Sequence, residues 1–213
     1  MKKLLREYKE FFTKDRIRSL YGALFLFALS LVFQYYAGVY SSLRSGQFVG
    51  DIFLDNLPVV NLNFIIVEGA LLAIVGSVVL LLTKPRHLIF AFKVTAVFLT
   101  LRAFFVDVTH LGIYPNQIVP SGGLFDQLYL AFGLETGYFF SAHTGLPILM
   151  ALLFWNDRLW RYVYLVIAAV FGASVLLAHV HYSIDVFAAP FMTYSIFKLS
   201  EYLFKGDYQL TRG

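Results

Sequence analysis

Two histidines and an aspartate carry the chemistry that this sequence can do. His143 stands in Ser141-Ala142-His143-Thr144, while His181 and Asp185 stand in His179-Val180-His181-Tyr182-Ser183-Ile184-Asp185. His181 and Asp185 are four apart, so on a helix they share one face, a single turn from each other. A carboxylate placed there accepts the proton of one ring nitrogen, fixes the tautomer and leaves the other nitrogen free to attack. A second imidazole at the same face can protonate a leaving oxygen. Two imidazoles and an acid are the minimum set for attack on phosphorus. The bland alternative is a polar pair that caps a helix, but ionisable groups at membrane depth are costly and default to function.

For these groups to meet, the chain between them must go out and come back. An apolar span follows His143, the chain turns at Asp157-Arg158, and a second apolar span leads to His181. That hairpin returns His181 and Asp185 to the face from which His143 set out. Ser141 and His143 open a helix there, and a helix N-terminus with its free N–H groups is an anion cradle suited to phosphate. Pro147 is tolerable in a first turn and would kink a helix that begins earlier.

The hairpin belongs to an unusually apolar chain. Of 213 residues, 59% are hydrophobic and only 14% are charged, and the mean hydropathy is +0.71. Apolar runs approaching the ~20 residues of a spanning helix recur along its length. They are continuous rather than alternating, which selects helices over a closed barrel. The expected class is an all-α, polytopic membrane protein with six transmembrane helices, at about 17–40, 60–83, 88–112, 137–156, 161–180 and 183–204. Residues 1–213 read as one transmembrane domain, with 137–204 forming the catalytic hairpin and the last helix. The 23 Phe and 14 Tyr suit lipid-facing and interfacial positions. Cysteine is absent, which removes disulfides, zinc thiolates and cysteine nucleophiles. No carboxylate cluster resembles a metal site, so neither metal nor other cofactor is expected. No basic stripe with interleaved aromatics appears, so no nucleic-acid partner is expected.

Basic residues orient the spans. Lys2, Lys3, Arg6, Lys9, Lys14, Arg16, Arg18, Lys84, Arg86, Arg158, Arg161, Lys205 and Arg212 fall in the N-terminal segment, two turns and the tail, whereas the loops 41–59, 113–136 and 181–182 hold only Arg44. By the positive-inside rule both termini are cytoplasmic and the histidines face the extracytoplasmic side. Met1 to Arg18 is basic and amphipathic, and residues 1–16 read as a retained helix on the membrane surface. The piece Leu124 to Phe132 in the second outer loop reads as an interfacial helix that covers the site. Short loops and a compact chain favour a bacterial inner membrane.

Other polar groups could serve the same pocket. Arg102 lies toward the outer end of the third span, where it needs an anion: a substrate phosphate, or Asp107 or Glu68 as a structural partner. Asp107 and His110, three apart, could orient each other or a head group. His179 stands beside the catalytic pair. Glu135 could meet a cationic amine, with Tyr138, Phe139 and Phe140 as an aromatic wall, although an interfacial aromatic belt explains those three as well. Lys93, nearer the inner half of its helix, is expected to snorkel or to pair with an acid.

Glu135-Thr-Gly-Tyr-Phe-Phe-Ser-Ala-His-Thr144 resembles a signature of the sphingomyelin synthases, an aromatic pair before Ser-Gly-His-Thr. His181-Tyr-Ser-Ile-Asp-Val186 is similar to another, His-Tyr-Thr-Ile-Asp-Val. Weaker echoes are Leu57-Pro58, and Arg102 followed by Thr109, Leu111 and Pro115. The resemblance implies six transmembrane helices, a His143-His181-Asp185 set on the outer face, chemistry on lipid phosphodiester head groups, and a place in the wider type 2 phosphatidic acid phosphatase superfamily. The chain departs from these patterns in places. Ala142 replaces a glycine, and Val175 follows Ser174 where the phosphatase branch has arginine. Pro120-Ser121-Gly122-Gly123 lacks the histidine of the phosphatase Pro-Ser-Gly-His. A phosphomonoester dianion would want the missing cations, which favours head-group transfer.

The expected function is therefore a phospholipid head-group phosphotransferase or phospholipase C-like enzyme, with a phospholipid substrate and a lipid alcohol or water as acceptor. A lipid-phosphate phosphatase is the enzymatic rival. A transporter using Glu68, Lys93, Arg102, Asp107 and the histidines is the rival from another class, and no inverted repeat or paired broken helices support it.

Overall fold

The computed structural model describes residues 2–118 and 138–212. Among them every regular element is helical: α1 (Lys2–Phe11), α2 (Lys14–Leu43), α3 (Ile65–Leu82, opening with a π-helical turn over Ile65–Gly69), α4 (Pro85–Val108), α5 (Ala142–Leu153), α6 (Arg158–Leu177), α7 (Ser183–Leu203) and α8 (Lys205–Leu210). Four of these, α2, α3, α4 and α6, are long and apolar enough to cross a membrane.

The helices start and stop for local reasons. Pro85 begins α4 at a position where its missing N–H costs nothing. Asp157 caps α6 by accepting from the Trp160 amide, so the Asp157-Arg158 turn falls where the hairpin requires it. The fourth expected span, 137–156, is helical only over Ala142–Leu153, about 18 Å of helix. Ser141 starts that helix as its N-cap, which leaves Phe139 and Phe140 outside it. The third span also ends early. Thr109 is extended beyond Val108, so Asp107 and His110 do not share a helix face as expected.

α4 is the central element. It packs on α2 along one side and on α7 and α5 along the other. The main core gathers Phe90 and Phe98 of α4, Leu149 of α5, Tyr164 of α6 and Ile196 and Phe197 of α7, together with Phe140. Close approach depends on two glycines. A Cβ on Gly145 would stand 2.7 Å from the Phe98 ring, and one on Gly172 would stand 3.2 Å from Val186. These approaches bring α5 against α4 and α6 against α7.

At the opposite end, the Lys93 ammonium meets the Asp207 carboxylate at 2.6 Å and the Ser19 hydroxyl at 2.9 Å. Lys93 thus pairs with an acid, one of the two outcomes expected for it. Phe11 of α1 is buried against Ala23 and Ile89. The expected interfacial helix at Leu124 to Phe132 lies outside the described residues.

Candidate active site

The site is built at the end of α6. That helix closes with a Schellman motif, in which the Val180 amide reaches back to the Val175 carbonyl at 2.9 Å and the His179 amide to the Leu176 carbonyl at 3.0 Å. His179 takes the left-handed position with φ 56, a place usually held by glycine. The His181 amide also approaches the Val175 carbonyl, at 3.3 Å. The chain is thereby folded back on itself immediately before α7 begins, and Val175, where a related pattern has arginine, is fully buried.

His181 precedes α7 rather than lying within it, so the expected single-helix pairing is replaced by a cap. The Asp185 Oδ2 reaches back to accept from the Tyr182 amide at 3.0 Å and stands 3.3 Å from Nδ1 of His181. One carboxylate oxygen therefore both caps the helix and holds the imidazole. Asp185 is wholly buried and His181 is 5% exposed, so water does not compete for the contact. With Nδ1 turned to the acid, Nε2 of His181 is the nitrogen left for chemistry.

His143 comes from the N-terminus of α5. Ser141, itself buried, accepts from the Thr144 amide and hydroxyl, both at 3.4 Å, and its own amide donates to the Asp185 carbonyl at 3.0 Å. The His143 and His181 rings lie 6.0 Å apart between centroids, at 68°. A phosphoryl group beside them can touch both. His143 also packs edge-on against Phe171 of α6 and bonds to the Ile66 backbone in the π-helical turn of α3. Such turns recur at functional sites because they break the regular helix ladder.

The other expected site residues separate. Arg102 is 4% exposed, donates through Nε to the Phe140 carbonyl at 2.9 Å, and lies within electrostatic reach of His143. The described ion pairs do not include Arg102 with Asp107 or Glu68. Tyr138 sets its ring edge-on to His181 at 6.3 Å and donates to Gln117. His179 is buried against Tyr114, and neither of its ring nitrogens has a hydrogen-bond partner among the described residues. Asp107 is half-buried on α4, whereas His110 is exposed and packs on Tyr40 of α2, away from the pair. Glu135 lies outside the described residues.

Sequence reasoning missed the clamp over the site. Asp51, in the first long loop, accepts from the Ser183 amide at 2.6 Å through Oδ2 and from the Phe53 and Leu54 amides through Oδ1. Burial alone would raise its pKa, but these bonds and one from the Ser183 side chain outweigh it and hold Asp51 below the usual carboxylate value. Tyr182 donates to the Gly112 carbonyl at 2.8 Å and accepts from the Val49 amide. Tyr114 bonds to Asp55, which pushes the phenol up to about 12. Loop residues 46–55 and 110–114 are thus fastened over the start of α7. In the sequence Asp51 and Asp55 merely flank Ile52-Phe53-Leu54, a pattern that marks no clamp.

Several long apolar helices with a buried polar cluster at one end define a multi-pass helical membrane protein. No family model matches the chain, and no solved structure matches it. Relatives by sequence include "Sphingomyelin synthase-related protein 1" of Homo sapiens, 31% identical over 175 residues that cover 69% of this chain and 42% of the relative. The protein of the same name from Mus musculus is also 31% identical over 175 residues, covering 36% of it. The chain belongs to the sphingomyelin synthase-like family. It spans less than half the length of these relatives.

Proposed function

We propose that the protein is a membrane phosphotransferase or phospholipase C-like enzyme acting on phospholipid head groups, within the type 2 phosphatidic acid phosphatase superfamily. The observation that carries this reading is the approach of the His143 and His181 rings to 6.0 Å with Nδ1 of His181 held by Asp185. Nε2 of His181 attacks phosphorus, an N–P bond forms, and the P–O bond to diacylglycerol breaks. With the phosphate anion bound beside it, His143 holds a proton and gives it to the departing oxygen. In the second half, neutral His143 takes the proton of a lipid alcohol or water, whose oxygen displaces His181 from phosphorus. A single-step route with His181 as base on the acceptor uses the same geometry.

Arg102 and the amides at the start of α5 bind the phosphoryl oxygens in this scheme. Tyr138, Ser141 and His179 complete the wall nearest the rings, with Glu135 available to a cationic amine. Asp107 and His110 belong to the outer approach. Buried Val175, in place of the arginine of the phosphatase pattern, supports transfer of a phosphodiester over hydrolysis of a phosphomonoester. α5 and α7 join α2, α3, α4 and α6 to give six spans, with both termini and the surface helix α1 cytoplasmic and the site extracytoplasmic. The bacterial inner membrane rests on compact loops alone, since the relatives named above are mammalian.

Purified protein given phospholipid labelled in the phosphoryl group, with and without ceramide or diacylglycerol, tests the reading. Label moving to the lipid acceptor marks a transferase, and label moving to water marks a hydrolase. The reading fails if no label moves, or if His181→Ala turns over as fast as the parent.

A further inference from the structure

A cavity lies at the end of the helices away from the histidines, and the proposed chemistry makes no use of it. Its volume is about 820 Å³, and it opens between the start of α4, the α5–α6 turn, the second half of α7 and α8. Along α7 it is ~14–24 Å from Asp185, at 1.5 Å per residue. Four cationic side chains line it, Lys84, Arg158, Lys198 and Arg212, against the carboxylates of Asp157 and Glu201.

Each carboxylate is engaged through one oxygen, while the buried Oε1 of Glu201 has no hydrogen-bond partner among the described residues. Asp157 caps α6, and Glu201 Oε2 takes the Lys198 ammonium at 2.7 Å. Lys84 and Arg158 form no ion pair or side-chain hydrogen bond among the described residues. Among the described residues the Arg212 guanidinium bonds only to the Tyr208 hydroxyl, at 2.7 Å through Nη2 and 3.2 Å through Nε. His87 stacks on Phe154 at 4.8 Å, and its buried Nδ1 has no hydrogen-bond partner among the described residues. The cavity therefore presents cations and a donor-capable imidazole in excess of anions. Its remaining walls, including Leu153, Phe154 and Phe197, are apolar.

We propose that this cavity binds a phosphate-bearing anion, supplied as the head group of an acidic phospholipid whose chains leave along the apolar walls. Phosphate meets Lys84, Arg158 and Arg212, while the stacked His87 ring closes the inner side. A small polar anion would leave the aromatic and aliphatic walls without a partner, which is why the lipid is the better fit. Basic pockets between helices at the positively flanked end of a membrane protein suit such head groups.

The test uses whole protein in nanodiscs of phosphatidylcholine alone or mixed with phosphatidylglycerol. It reads lipid retained in native mass spectrometry and the melting temperature. The expected result is one retained acidic lipid and a raised melting temperature, with affinity lowered roughly 10- to 30-fold in the K84Q/R158Q double variant, from about 1 kcal/mol per basic residue. Both side chains are exposed, so the fold survives their loss, and R212Q reads the opposite wall independently. The double variant K9Q/K14Q, altered elsewhere, is expected to bind as the parent does. Equal retention by parent and K84Q/R158Q, an equal loss in K9Q/K14Q, or no retained lipid overturns the site. Equal stabilisation by soluble glycerol phosphate overturns the lipid as the source of the phosphate.

Discussion

The amide of Ser141 donates to the carbonyl of Asp185 at 3.0 Å. The residue that caps α5 is therefore bonded, main chain to main chain, to the acid that caps α7. The two halves of the site are joined without using the side chains that would do chemistry. Altering His143, His181 or the Asp185 carboxylate should leave their relative placement intact.

Asp185→Asn isolates the electrostatic role of the acid. The amide oxygen can still accept from the Tyr182 N–H, so the cap is largely kept and stability falls by about 1 kcal/mol. The charge that fixes the His181 tautomer and stabilises its cation is lost. Turnover of labelled phospholipid is expected to fall by roughly 10³- to 10⁴-fold, as when other triads lose their acid. Parent-like turnover would remove Asp185 from the chemistry.

Asp51→Asn addresses the clamp through pH. The folded pKa of Asp51 lies below its unfolded value, near 3.9 for a free aspartate. The carboxylate therefore contributes stability that is fully present above about pH 4 and is lost as pH falls through the folded pKa. The parent is expected to melt above the Asn variant at neutral pH, by an amount that stays level down to about pH 5 and shrinks on further acidification. A gap that widens on acidification would show that the charge opposes the clamp.

The meeting of His143 with His181 was legible because it follows from two apolar spans and one polar turn, features that burial alone dictates. The end of the hairpin was not. A helix that stops in a Schellman motif with His179 in place of glycine leaves no glycine signal, and Val175 acts there through its carbonyl, which any residue supplies. The late start of α5 was written in Ser141 and Pro147, yet the apolar run upstream masked it. His110 was misplaced because α4 ends at Val108, a boundary that no Gly or Pro marks. Asp51 was invisible because its partners, Ser183 above all, are far away in sequence, and a loop acid looks solvated until its loop is packed.

Gly145→Ala probes the close approach of α5. The added methyl would sit 2.7 Å from one Phe98 ring carbon and 2.9 Å from another, with Thr193 Oγ1 at 3.0 Å. The ring is fully buried in the main core and has little room to yield. Overpacking of this kind costs roughly 1–3 kcal/mol, so the melting temperature should drop and turnover with it. Adding Phe98→Leu should recover a large part of the melting temperature. No recovery would mean that the strain is absorbed by Thr193 and α7 instead.

His179→Asn separates the backbone role of this residue from its ring. Asparagine tolerates the left-handed conformation at φ 56 better than most residues do, so the Schellman turn should persist and the melting temperature should change little. Among the described residues the buried imidazole has neither ring nitrogen engaged, which leaves both for a substrate in the proposed pocket. The expected outcome is a rise in KM of at least tenfold, since one hydrogen bond to a charged group contributes about 1.5–3 kcal/mol, with a smaller change in kcat. Unchanged KM with an unchanged melting temperature would assign His179 to the turn alone.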